Sequence, residues 1–182
     1  MITLEFRPAH ADDAPALAAL KVAAARALTE QFGRGHWSGE ATERGVQLGI
    51  DAGGVWAVRS DGGEIIGTFR LATKKPWAID KNYFAPVRRP LYLTDMAVAP
   101  ERQSLGVGRR CVSKAVDIAR AFPADAIRLD AYDDAAGAGT FYEKCGFTPV
   151  GRASFRGTPL LYYELLITTH ETNDPVRTVG EA

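Results

Sequence analysis

Leu93-Thr94-Asp95-Met96-Ala97-Val98-Ala99-Pro100-Glu101-Arg102-Gln103-Ser104-Leu105-Gly106-Val107-Gly108 changes character twice along its length. Leu91 to Ala99 has the composition of a strand, and Pro100 closes it because a proline cannot continue the ladder. A short polar turn follows, and Gly106 and Gly108 open a helix that runs to Phe122 with Cys111, Val112, Ala115, Val116 and Ala119 at helical spacing. The first N–H groups of a helix have no partner within it and carry the positive end of its dipole. Glycines there remove side chains that would hold an anion away, so a pyrophosphate is a natural guest. Equally, two glycines can serve only to let the chain turn sharply. Two other phosphate loops are excluded by spacing: position 111 is Cys, which breaks G-x-G-x-x-G, and there is no G-x-x-x-x-G-K-[ST].

Outward from this run, period and punctuation set the remaining elements. Ile2 to Phe6 alternates as a half-buried strand, and Asp12 or Asp13 with Pro15 starts a helix through Leu17, Leu20, Val22, Ala24 and Leu28 that Gly33 and Gly35 end. A weaker helix is expected over residues 38–50, capped by Ser38. Val55 to Val58 and Glu64 to Ala72 form a hairpin about the turn at residues 60–63. Ala126 to Ala131 reads as a strand, residues 136–145 as a short helix, and residues 147–153 and 160–167 as a closing hairpin. The expected order β, α, α, β, β, β, α, β, α, β, β is one mixed sheet within α/β (α+β) architecture, mostly antiparallel, with six or seven strands and about four helices. Residues 1–167 are expected to make a single domain and residues 168–182 a mobile tail.

Composition narrows the function class. Of the 182 residues, 46% are hydrophobic and 24% charged, enough for one core without disulfide or metal staples. Lys and Arg number 22, as do Asp and Glu, so the net charge is zero and neither nucleic acid nor an anionic membrane is expected as a partner. Cys111 and Cys145 lack metal spacing, the three histidines are dispersed, and no metal is expected. No signal-type start and no membrane-length apolar run is visible, so the expected location is cytoplasmic.

A second segment now becomes informative. Ile127-Arg128-Leu129-Asp130-Ala131 is followed by Phe141-Tyr142-Glu143-Lys144-Cys145-Gly146-Phe147. Together with Gln103-Ser104-Leu105-Gly106-Val107-Gly108, which fits [Q/R]-x-x-G-x-[G/A], these blocks resemble the GNAT N-acetyltransferase superfamily in kind, spacing and position on the expected elements. The resemblance implies a GNAT-like domain that binds acetyl-CoA as co-substrate and acetylates a primary amine of a small molecule or peptide in a ternary complex. It implies that Met96, Ala97 and Val98 hold the pantetheine arm through strand-like hydrogen bonds, and that Gln103, Ser104, Leu105, Gly106, Val107, Gly108 and Arg109 receive the pyrophosphate. Tyr142 matches the tyrosine that protonates the departing thiolate in many members. Where many members carry Asn, this chain has Ala135. Homodimers are common in the family and one is a possible partner state here.

Chemistry asks for a proton at the sulfur and a neutral attacking amine. Tyr142 suits the first need, or else is a core aromatic. For the second, Asp130 and Asp95 are candidate bases, each equally readable as a salt-bridge partner or cap, and a water relay needs neither. Residues 74–90 contain three prolines, three aromatics and five basic residues, which makes Trp77, Tyr83 and Arg88, with Phe84 and Arg89, candidates for the acceptor site or for a loop pinned to the sheet. A catalytically silent acyl-CoA sensor on the same fold is the alternative function.

Overall fold

The computed structural model describes residues 3–167; Ile2 of the expected first strand and the expected tail, residues 168–182, lie outside them. The elements, in order, are β1 (Leu4–Pro8), α1 (Ala14–Phe32), α2 (Glu43–Asp51), β2 (Val55–Ser60), β3 (Ile65–Ala72), β4 (Pro90–Val98), α3 (Val107–Ala121), β5 (Ala126–Tyr132), α4 (Gly139–Lys144), β6 (Thr148–Phe155) and β7 (Thr158–Leu166). The seven strands form one sheet in the order β1-β2-β3-β4-β5-β7-β6. Every pairing is antiparallel except β4 with β5. That parallel pair requires a crossover, which α3 supplies.

Two features of β4 make room for a site. Its register with β5 covers only Pro90, Leu91 and Tyr92, opposite Ala126, Ile127 and Arg128, so the strands part beyond Tyr92. On its other edge the register with β3 slips between Thr68 and Arg70, where Thr94 and Ala97 are the successive partners. The one extra residue bulges β4 at Asp95, whose φ of 55° lies in the left-handed region. A non-glycine residue is strained there, and such strain is found where a strand must be re-aimed.

The core explains why the helices lie where they do. Val107, Cys111, Val112, Ala115 and Ala119 form the buried face of α3 and pack on Phe69, Leu93, Ile127 and Leu129 of the sheet. Ala14, Leu17 and Ala18 of α1 meet Val46 of α2 over Ala57 of β2. A third cluster fastens the 73–89 connection to the far half of the sheet through Ile79, Phe84, Tyr92, Leu160 and Tyr162. Beneath it the Arg128 guanidinium donates to Glu164 at 2.8 Å, both side chains about 5% exposed (5% and 6%), and the Ala85 N–H and C=O also bond to this pair.

The second helix departs from expectation. Ser38 does not start it; its hydroxyl is engaged with Thr29 Oγ1 at 2.7 Å and accepts the Gly35 N–H at 3.1 Å, which ties down a loop instead. Thr42 is the cap, its Oγ1 accepting the Gly45 N–H. Residues 33–42 are therefore free to arch over the sheet. The short helix after β5 also begins later than expected, at Gly139.

Candidate active site

Two clefts meet the parted end of β4. The first, about 680 Å³, is bounded by Met96, Ala97 and Val98, by Gln103, Ser104, Gly106, Gly108 and Arg109, by Ala24 and Leu28 of α1, and by Ala136, Ala138, Phe141 and Lys144. Gln103 Nε2 donates to the Val98 carbonyl at 3.3 Å and fastens the turn to the strand. Ser104 at φ 61° and Gly106 at φ 82° bend the backbone into the helix. The Arg110 N–H is the donor to Gly106 C=O, so the amides of Val107, Gly108 and Arg109 precede the intrahelical ladder.

The two glycines do different work. A Cβ on Gly106 would meet nothing within 4 Å, so that backbone is bare toward open space. A Cβ on Gly108 would stand 3.3 Å from Phe141 and 3.4 Å from Met96, so this glycine lets α3 start hard against the cleft wall. Val107 points the other way, 2% exposed in the core, and Leu105 is exposed; neither side chain lines the cleft. Their amides remain part of the turn. The combination of an apolar wall, bare amides at a helix start and the cations Arg109 and Lys144 fits a long ligand with an anionic middle.

The second cleft, about 420 Å³, lies between α1, the 33–42 loop, α2 and strands β2–β4. Lys21, Arg70, Glu40 and Asp95 bring both charge signs into it, with Trp37 and Tyr132 as aromatic walls. The arching loop is held over β5 by the Tyr132 hydroxyl donating to the His36 carbonyl at 3.3 Å, by a 3.1 Å contact between Thr158 Oγ1 and His36 Nδ1, and by Trp37 edge-on to Tyr132. His36 therefore has a place in a wall. His10 does sit at a helix start, where its backbone N–H donates to Asp13, and His170 lies outside the described residues.

Asp95 lines this second cleft and pairs with Lys21 at 3.0 Å. Asp130 lines neither cleft; burial is the main influence raising its carboxyl above 3.8, against a backbone hydrogen bond that lowers it. Tyr142 is 8% exposed, with its ring among Phe141, Phe147 and Tyr163. It too lines neither cleft, although its neighbour Phe141 does. Burial raises the Tyr142 phenol well above 10.0, and the nearby Asp130 charge adds to this, so the hydroxyl keeps its proton at neutral pH. Cys111, fully buried, has its thiol pushed up to about 12, and burial also raises Cys145; neither is an activated nucleophile.

The aromatic loop lies apart from both clefts. Trp77, Tyr83 and Arg88 line neither cleft. Trp77 is 87% exposed, Tyr83 packs edge-on to Tyr162 and against Gly151, and the Arg88 amide donates to Asp125. Of the two readings of this loop, pinning to the sheet describes Tyr83 and Phe84, which pack against Tyr162 on the far half of the sheet, whereas Trp77 faces outward. Sequence reading also missed Lys21, His36, Trp37, Arg70 and Tyr132, which come from four separate segments and share no spacing. Lys144 was visible inside the second motif, without a signal for its role. Among the described residues no cluster of His, Cys, Asp and Glu is grouped to hold a metal, and no helix is long and apolar enough to cross a membrane.

Comparison with known structures places this architecture among acetyltransferases. A GNAT-family acetyltransferase from Streptococcus agalactiae superposes with a TM-score of 0.74 at 15% identity, covering 91% of this chain and 96% of that one. One from Listeria monocytogenes gives 0.70 at 20% identity, with 89% and 95% covered. The PaiA N-acetyltransferase of Thermoplasma acidophilum, solved in complex with coenzyme A, gives 0.65 at 13% identity, with 88% and 98% covered. At such identities the likeness speaks to the fold alone. A search of curated protein sequences finds no match. The sequence model of the acetyltransferase (GNAT) family, however, matches residues 22–147, more than two thirds of the chain, a span that takes in most of α1, the bulged strand, the glycine turn and the Phe141–Phe147 motif. The chain belongs to the acetyltransferase (GNAT) family.

Proposed function

We propose that this protein is an acetyl-CoA-dependent N-acetyltransferase that acts on a primary amine of a small molecule or peptide by direct attack in a ternary complex. The observation that carries the reading is the presence of two chemically different clefts on adjacent residues of β4, Asp95 lining the one suited to a polar acceptor and Met96 the one suited to a CoA-like ligand. When bound, acetyl-CoA supplies an activated acetyl group as a thioester. The residues for holding it are the unpaired edge of Met96–Val98, the turn at Gln103–Gly108, and Arg109 and Lys144 as counter-charges for phosphate.

The chain's own groups then divide the proton work. Tyr142, protonated and buried beside the first cleft's wall, is the proposed donor to the departing sulfur. Of the two carboxylate candidates, Asp95 is the one inside the acceptor cleft, and with a side chain 52% exposed it can pass the amine's proton to water. Asp130 acts in this reading through its charge on Tyr142 and not as the base. With both cysteines held as thiols and aimed at packing, no side chain is placed to carry the acyl group, which favours direct transfer over a covalent enzyme intermediate.

The test is thiol release from acetyl-CoA across an amine panel, paired with CoA binding measured by thermal shift. Amine-dependent release supports the enzyme. CoA binding with no release for any amine favours the silent sensor on the same fold.

A further inference from the structure

The acceptor cleft contains one lysine or arginine, Arg70, that has no carboxylate within salt-bridge distance among the described residues. Lys21 is matched by Asp95 at 3.0 Å. Arg70, on β3, forms no salt bridge among the described residues; its Nε donates to the Gly53 carbonyl at 3.0 Å. That bond fixes the guanidinium plane and leaves the terminal N–H groups as a fork, the geometry that takes a carboxylate or phosphonate through two parallel hydrogen bonds. The site around it is not generically acidic or basic, because Glu40 and Asp95 line the same cleft.

We propose that the amine acetylated here carries its own anionic group, and that Arg70 binds that group while the amine lies toward Asp95. The inference rests on the acetyltransferase reading above and adds the class of acceptor. Register brings the two groups to one cleft. Arg70 faces Thr94 directly across the β3–β4 pairing, and Asp95, the next residue along β4, lines the same cleft as Arg70. A cleft of about 420 Å³ has room for a molecule of amino-acid size. The zwitterion of an amino acid, or of an aminoalkylphosphonate, carries both charges on one small molecule.

The experiment compares kcat/KM for free amino acids, the corresponding amino-acid amides and aminoalkylphosphonates, in the wild type and in Arg70→Gln and Arg70→Lys. The wild type is expected to prefer the anionic amines over the amides by ~10–100-fold, the range a charge-assisted hydrogen-bonded pair contributes. Arg70→Gln should remove that preference by lowering kcat/KM for the anionic amines alone, and Arg70→Lys should restore part of it. The carboxylate and phosphonate arms show which anion is preferred. Equal turnover of amides and acids by the wild type overturns the Arg70 assignment without needing any variant to fold. So does an equal loss for both classes in a folded Arg70→Gln protein. Absence of turnover with every amine, while CoA still binds, overturns the acetyltransferase reading itself.

Discussion

Gly106 is where strain and ligand exclusion can be separated. Its φ of 82° lies in the left-handed region, and a Cβ there meets no atom within 4 Å. Gly106→Ala therefore adds no clash and carries only the left-handed penalty of roughly 1–2 kcal/mol. For a domain of this size that lowers Tm by about 2–8 °C. Gly106→Glu carries the same penalty and also sets a carboxylate over the bare amides. At ~6 Å from a pyrophosphate charge and an effective dielectric constant of about 20, the repulsion is ~3 kcal/mol, or roughly 100-fold in affinity. Calorimetric titration with CoA should find Gly106→Ala within a few-fold of wild type and Gly106→Glu weaker by about two orders of magnitude, with the gap narrowing as salt rises. Equal CoA affinity in the two folded variants would refute the placement of the pyrophosphate at this turn.

Three further outcomes are expected. Tyr142→Phe preserves the aromatic packing with Phe141, Phe147 and Tyr163 but removes the proton, so kcat should fall about 100-fold with CoA affinity unchanged; near-full kcat with chemistry limiting makes Tyr142 a packing residue. Burial raises the Asp130 carboxyl above 3.8, so the folded state keeps a proton that the unfolded chain releases; that stability is complete below about 3.8 and lost as pH climbs through the folded value. Asp130→Asn should flatten this acid-side slope in urea midpoints measured across pH, and an unchanged slope counts against it. Glu164→Ala strands the Arg128 guanidinium in the sheet and should cost ~3–5 kcal/mol, while Arg128→Met with Glu164→Met recovers most of it; a loss below about 1 kcal/mol in urea unfolding contradicts the buried pair.

Local chemistry in the chain was sufficient for much of this protein. Alternation and helical spacing located the strands and α3, because burying one face imposes a period of two or 3.6 on residues adjacent in sequence. The glycine turn and the Phe141–Phe147 motif were legible for the same reason: each is built from residues consecutive in the chain. These segments established the family and form the main wall of the 680 Å³ cleft. The start of α2 was misplaced because Ser38 and Thr42 are both good caps, and the choice fell to a contact with Thr29 on another helix. The cleft proposed to take the acceptor was invisible for a stronger form of that reason. Lys21, Trp37, Arg70, Asp95 and Tyr132 meet only because β4 bulges at Asp95, parts from β5 after Tyr92, and receives the 33–42 loop across its opening. In the same way Tyr83 and Phe84 of residues 74–90 were spent on the far half of the sheet, where Tyr162 and Leu160 offered an apolar face. What depends on neighbours along the chain is written in the sequence, whereas a charge left unmatched in a cleft depends on which distant residues the sheet order sets beside it.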